Sequence, residues 1–506
     1  MFNKICLWIK SNCILISIFI SVAVLIFMQS YFFGAYISPD STNYLRAAQS
    51  LRDGYGFRIN AAAGDSSRYF SIWPIGYPAM IAFVSKITNT EIYLASKILS
   101  IIILAVIFIM LYARFKKHAW MYALIAVNSG FLQIFYYTWS EQPFILGLIW
   151  ISFAAIDILK SEHIRHSHYI SICLASVFLF LSRYIGAFSI GIIGLLAIYH
   201  LIAGVTKKST ENIKKAGLLF VSAALVTVFM IFYLFNNLKH SGFLTGMERI
   251  PISERPFLLF LNLCKAQIFE MQNVFSVFFK MSIGITCVVY ILCAIIVCRF
   301  LYVKRGTFYK YIPVPAFLFL SIGLLYWFSI VVMRFSAAFD GFSYRLLFPA
   351  SALFTFGVIA IIENYYPTLT EKITFGFRCY ILTAVIVLSL FSDLTFPLYN
   401  AVVKNQRIIG YQEIRSSIIE DLKDVPAHSY IITERAGIKK YLNFIRPDLL
   451  MSRSRNVPQN IDEILSRIDE IYLYFDWHLL SDEIKEDINS RFNGDLNFEK
   501  KLIRIR

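Results

Sequence analysis

The sequence holds none of the short motifs that mark common soluble enzyme chemistries. It contains no Walker phosphate loop, no G-x-G-x-x-G, no H-E-x-x-H and no G-x-S-x-G. P-loop, dinucleotide-fold, zincin and nucleophile-elbow chemistry therefore have no anchor here. Its eight cysteines form no C-x-x-C pair and none follows residue 397, which leaves no disulfide framework and no zinc pair to read. Charge is scarce too: Asp, Glu, Lys and Arg make up 16% of the 506 residues, against 58% hydrophobic. His163, His166 and His168 cluster, but in a charged loop that reads as solvated, so no metal site and no cofactor is expected.

What the chain has instead is repetition of apolar runs of about twenty residues, each long enough for a roughly 30 Å hydrocarbon core. Lys and Arg gather in short loops between the runs, at 114–118, 207–215 and 299–310, as cytoplasmic loops require. The net charge of +16 is therefore a signature of membrane topology, and no nucleic-acid partner is expected. Lys4 and Lys10 precede the first run and put the N-terminus in the cytoplasm. That run, near 14–33, is too long for a secretory signal and lacks a small-residue cleavage site. About eleven spans are expected: the third ends near Tyr137, and the last four are a run near 283–297, one ending near Val332, and runs near 347–362 and 380–399. An odd count leaves the C-terminal tail outside. The tail gains charge and carries short apolar runs, Tyr430-Ile431-Ile432 and 471–475, with helical patterns at 461–468 and 482–492. The expected fold class is an α-helical polytopic membrane protein, residues 1–399, with an outer juxtamembrane helical loop at 34–91 and a small C-terminal α/β domain at 400–506.

The most informative stretch runs from 38 to 78. Pro39 stops the first membrane helix, and Asp40 stands where the next begins, a position from which a carboxylate can cap backbone N–H groups. Gly54 ends that helix. On a 3.6-residue wheel Tyr44, Ala47, Ala48 and Leu51 share one face, while Arg46, Gln49, Ser50 and Asp53 share the other. Such a helix lies flat at a membrane surface. The run W-P-I-G-Y-P follows at 73–78. An acid just after the first span, a Tyr four residues on, an Ala-rich helix ending in Gly and a P-x-G-Y-P element are here Asp40, Tyr44, Gly54, Pro74, Gly76, Tyr77 and Pro78. Together they resemble the multi-pass glycosyltransferases of the GT-C class, with the protein O-mannosyltransferases and the bacterial lipid A aminoarabinose transferases as nearest relatives. The resemblance reaches to about residue 200, with a further short element at 345–349.

The resemblance implies that Asp40 is the general base, taking a proton from the acceptor as that atom attacks the anomeric carbon. A carboxylate suits this at a membrane boundary, where partial desolvation lifts its pKa toward neutrality. One acid suffices for inversion, because a lipid-phosphate leaving group needs no protonation. Tyr44 and Tyr77 would contact substrate. Glu141, beside Tyr136, Tyr137 and Trp139 in a short outer turn, is either a solvated turn residue or a second acid orienting acceptor or donor. Arg183 and Arg345 stand at membrane edges with little loop around them. Each either snorkels or binds the donor phosphate in bidentate fashion; Arg334 reads as a membrane-edge cation.

The expected function is therefore an integral membrane glycosyltransferase of the bacterial inner membrane. It would move a hexosyl or pentosyl group from a polyprenyl-phosphate donor to a lipid, glycan or protein acceptor on the extracytoplasmic face. The alternatives are a transporter or flippase, disfavoured because the suspicious charges gather at outer ends and not at the midplane, and a polysaccharide polymerase or ligase.

Overall fold

A computed structural model describes residues 2–32, 36–59, 68–275, 312–338, 341–365, 410–433, 436–452 and 470–475, with residues 291, 295 and 299 and short pieces between 485 and 504. Helix α1 (Phe2–Tyr31) contains neither Pro nor Gly and runs unbroken. Pro39 then opens α2 (Pro39–Arg52), where its missing N–H costs nothing. The cap is Ser38, whose Oγ accepts from the Ser41 N–H at 3.1 Å. Asp40 lies inside the first turn, so the expectation of Asp40 as the capping residue is corrected. Gly54, at φ +85°, takes the left-handed conformation that ends the helix.

The β1 (Arg58–Ile59) and β2 (Arg68–Tyr69) hairpin leads to α3 (Gly76–Thr88). A Cβ on Gly76 would stand 2.5 Å from the Leu181 carbonyl oxygen. The glycine of the P-x-G-Y-P element thus permits α3 to start directly against the end of α8 (His166–Ser182).

Seven helices among the described residues are long and apolar enough to cross a membrane: 12–31, 92–127, 141–160, 184–206, 210–241, 314–336 and 344–364. The shorter α8 is also apolar. In the element order these include α4 (Ile92–Phe115), α7 (Glu141–Lys160), α9 (Ser189–Thr206), α10 (Thr210–Ser241), α12 (Val314–Ser336) and α13 (Tyr344–Tyr365), with α11 (Pro256–Phe275) before α12. The expected span at 380–399, and that at 283–297 apart from residues 291 and 295, lie outside the described residues. The span expected to end near Tyr137 is broken. It consists of α5 (Ala119–Ala123), a 3₁₀ turn and α6 (Ser129–Tyr136). Asn128 makes the break: its backbone is extended and its side chain accepts from the Gly130 N–H, starting a fresh helix in mid-run. Of the seven helices α7 is the most enclosed, so Glu141 opens the central helix of the bundle.

Two of the basic loops, 114–118 and 207–215, converge at one end. Arg114 pairs with Asp157, and Lys215 Nζ donates to the carbonyls of Ser161 and Glu162 at 2.6 and 2.8 Å. At the other end, α14 (Tyr411–Asp421), α15 (Ala436–Ile445) and a four-stranded sheet come together. The sheet order is β4 (Leu450–Ser452), β3 (Tyr430–Ile432), β5 (Ile471–Tyr474), β6 (Leu502–Arg504), parallel except for the β5–β6 pair. Ile418, Leu422, Ile431 and Leu442 fill its core. This part docks on α2 and on the head of α4. Thr42 Oγ1 donates to the Lys440 carbonyl at 3.4 Å, and the Tyr411 hydroxyl donates to Glu91 at 2.7 Å. The surface helix expected from the wheel is accordingly covered on both faces. Ser50 is buried, and Arg46 is pulled down to about 10 by burial first and by neighbouring Arg68 second. On the predicted polar face only Asp53 is exposed.

Candidate functional site

Four of the six residues singled out from the sequence meet at one point. Helix starts and ends bring them there: Asp40 from the first turn of α2, Glu141 from the first residue of α7, Arg183 from just past α8, and Arg345 from the first turn of α13. The Arg345 guanidinium is the hub. Its Nη1 donates to Asp40 Oδ2 at 2.5 Å, its Nε to Glu141 Oε1 at 2.5 Å, and its Nη2 reaches Glu141 Oε2 at 3.4 Å. Its face lies 4.4 Å over the Trp139 ring, a stacked and forked arrangement available to arginine and not to lysine. Arg183 pairs with Glu141 from the other side. Two acids and two guanidiniums thus sum to no net charge.

The two carboxylates differ sharply in exposure. The Glu141 side chain is 0% exposed and that of Asp40 20%. Glu141 is therefore neither a solvated turn residue nor an acid open to a cavity; it is the buried counter-ion of both arginines. Asp40 is not an isolated, partly desolvated acid either, since it shares Arg345. The arginines do not simply snorkel: both are held by protein carboxylates.

Tyr44 and Tyr77 lie beneath this cluster and are fully buried. Their rings meet edge to face at 5.3 Å, with Trp73 5.2 Å from Tyr44. The Tyr44 hydroxyl donates to Ser140 Oγ at 2.8 Å. Burial first, and the Glu141 charge second, push Tyr44 far above the ordinary phenol range, so it stays a donor. The Tyr77 hydroxyl reaches Gln142 Oε1 at 3.5 Å. Both tyrosines support the turn that carries Glu141.

The sequence reading overlooked what holds that turn from below. The carbonyls at the end of α6 have lost their helical partners. Gln142 Nε2 donates to Ile134 and Tyr137 oxygens at 3.1 and 2.7 Å, and Lys97 Nζ to the Tyr136 oxygen at 2.5 Å. Ser100 Oγ donates to Gln142 Oε1 at 2.8 Å. A lysine inside an apolar run was the available signal, because buried cations in spans are retained for a reason. Trp139 was visible as an aromatic neighbour, but its second task was not: its Nε1 donates to Ser38 Oγ at 2.7 Å, tying the α2 cap to the same turn. Arg334 stands apart, paired with Glu254.

No protein-family model matches the sequence, and no curated protein matches it. Among solved structures, ArnT from Cupriavidus metallidurans aligns over nearly its whole length. Bound to undecaprenyl phosphate it is 11% identical, with a TM-score of 0.58 over 97% of this chain and 98% of that one. Its apo state is 10% identical with the same TM-score and coverage. The chain shares the fold of these ArnT structures. An archaeal oligosaccharyltransferase, AglB from Archaeoglobus fulgidus in complex with an inhibitory peptide and a dolichol-phosphate, aligns less well, at TM-score 0.48 and 12% identity over 92% of this chain and 70% of that one. The GT-C likeness read from Asp40, Tyr44 and the P-x-G-Y-P element thus holds at the level of the fold, and it extends well past residue 200.

Proposed function

We propose that this chain is an inverting membrane glycosyltransferase that moves one sugar from a polyprenyl-phosphate donor to an acceptor on the extracytoplasmic face, with Asp40 as general base. The membrane part comprises residues 1–399, with the outer loop 34–91, and residues 400–506 form an α/β domain on the same outer side. The observation that carries this reading is the asymmetric pair of acids on Arg345. Asp40 keeps exposed surface and Glu141 has none, so one acid can reach a reactant while the other fixes the cations. The ArnT fold, solved with undecaprenyl phosphate bound, supports a lipid-phosphate donor.

In the proposed step the Asp40 carboxylate takes the proton of the acceptor O–H or N–H. The acceptor atom forms its bond to the anomeric carbon from the face opposite the phosphate. The bond between that carbon and the phosphate oxygen breaks, and the polyprenyl phosphate leaves with the electron pair. Arg183 and Arg345 face the charge gathering on the leaving phosphate, where preorganised donors contribute most. Glu141 holds both guanidiniums in place before the donor arrives, so little reorganisation is needed at the moment of reaction. The partners are the lipid-linked sugar, a lipid, glycan or protein acceptor, and the surrounding bilayer.

The test is a transfer assay in membranes with a panel of radiolabelled polyprenyl-phosphate sugars and endogenous acceptors. Label should move to an acceptor with one of the sugars. Membranes that contain the full-length protein yet transfer none of them count against the reading.

A further inference from the structure

Away from the reaction cluster, a cavity of about 250 Å³ opens between the first half of α11, the end of α12 and the loop that leads into Arg345. Its polar lining is Glu254, Asn262, Lys265 and Arg334, and Leu259 and Phe342 supply apolar wall. Among the described residues that line it, two cations face one acid, whereas the Asp40–Arg345–Glu141–Arg183 cluster is balanced. Arg334 is buried and anchored by its pair with Glu254, so its charge cannot swing away. Lys265 is exposed on the rim. The walls are tied together: the Ala338 N–H donates to the Ile250 carbonyl at 2.9 Å, and Trp327 Nε1 to Gln267 at 3.0 Å. Gly341 adds an opening with no side chain and nothing within 4 Å of where one would stand.

Helix α11 divides its surface in a way that identifies the guest. Leu259, Asn262 and Ala266, at helical spacing, line the cavity. Leu258 and Leu261 follow the neighbouring stripe down to Lys265, and with Phe257 and Phe260 they are all exposed. A cation-lined recess beside an outward apolar stripe fits a molecule with an anionic head and hydrocarbon tails. Guanidinium and ammonium groups at a membrane edge are suited to phosphate oxygens. The volume falls below the roughly 300–1,000 Å³ of sites that enclose a whole small molecule, so the head alone enters while the tails stay in the bilayer.

We propose that this cavity is a second lipid site, which takes the phosphate headgroup of a membrane lipid between Lys265 and Arg334 with its tails along Leu258 and Leu261. The occupant is an anionic phospholipid or a polyprenyl phosphate; the head chemistry is the same. The site stands on its own geometry and does not rest on sugar transfer.

The test uses the full-length protein in phosphatidylcholine nanodiscs, titrated with fluorescent phosphatidylglycerol and separately with undecaprenyl phosphate and inorganic phosphate. Lys265→Glu is the main variant, because the side chain is exposed and folding should survive. It should weaken lipid binding about tenfold, while Lys423→Glu, the same charge change at an exposed lysine away from both sites, binds like the unaltered protein. Displacement of phosphatidylglycerol by undecaprenyl phosphate, with the same dependence on Lys265, supports the site with the carrier as occupant. Binding of phosphatidylglycerol alone supports it with a phospholipid as occupant. Unchanged binding in Lys265→Glu overturns the proposal, as does an equal loss in Lys423→Glu. Binding of inorganic phosphate with neither lipid bound also overturns it. The readout is binding, so it stands or falls separately from the transferase reading.

Discussion

Arg345 Nη1 lies 2.5 Å from Asp40 Oδ2, although 305 positions separate the two residues in the chain. The contact joins the first turn of α2 to the first turn of α13, and Glu141 extends it to the first residue of α7. Any change at one of these helix starts is therefore felt at the others.

Asp40→Asn removes the proton acceptor while keeping size and a hydrogen-bond partner for Arg345. Loss of a general base typically costs about 10²–10⁴-fold in rate, so transfer should collapse while membrane levels hold. Ser38, not Asp40, is the cap of α2, so the helix itself should survive. Asp53→Asn, at the exposed end of the same helix, is the control and should be nearly silent. Full transfer by Asp40→Asn would remove Asp40 from the reaction.

Glu141→Gln should act on folding before it acts on rate. The side chain has no exposed surface and faces two guanidiniums. Breaking a buried ion pair by removing one partner costs about 3–5 kcal/mol. Size-exclusion profiles and thermal melts in detergent should show less folded protein and a lower Tm than for Asp40→Asn. Equal melting of the two variants would mean that Glu141 is not the counter-ion that holds the site together.

Arg345→Lys and Arg183→Lys both keep a positive charge but should not be equivalent. Lysine at 345 cannot fork between Asp40 and Glu141 and lie flat on Trp139 at once. With charge-assisted hydrogen bonds contributing about 1.5–3 kcal/mol each, Arg345→Lys should lose roughly 10–100-fold in transfer. Arg183→Lys, whose one ion pair among the described residues is with Glu141, has less to lose before the donor arrives and should lose less. The ratio of the two kcat/KM values decides, and a ratio near one would sink the hub role of Arg345.

The tail should lie across the membrane from the basic loops. Tyr411 and α15 dock on Glu91 and α2, while Arg114 and Lys215 sit at the opposite bundle end. With the basic loops in the cytoplasm, a reporter active only there should be silent when fused after Arg506 and bright when inserted in the 161–165 turn. A bright C-terminal fusion would invert the proposed orientation.

Much of this protein is local and was legible in one dimension. Apolar runs announce membrane helices because the bilayer demands about twenty residues whatever lies beside them. Pro39 and Gly54 bound α2 because their backbone preferences are intrinsic. The stretch around Asp40 carried the likeness to GT-C enzymes for the same reason. What the chain order could not convey is partnership. Asn128 breaks a run that hydropathy alone reads as continuous, because an amide that caps a helix looks like any polar residue in a span. Glu141 read as a residue of a short turn, but α8 and α13 close over it and make it a buried counter-ion. The wheel gave α2 a solvent face, and α15, nearly four hundred positions away by the Thr42–Lys440 contact, covers it. Local sequence determined where helices start, stop and enter the membrane, because those choices depend on neighbours along the chain. Only the tertiary structure decided which charges meet, because an ion pair is set by distance in space.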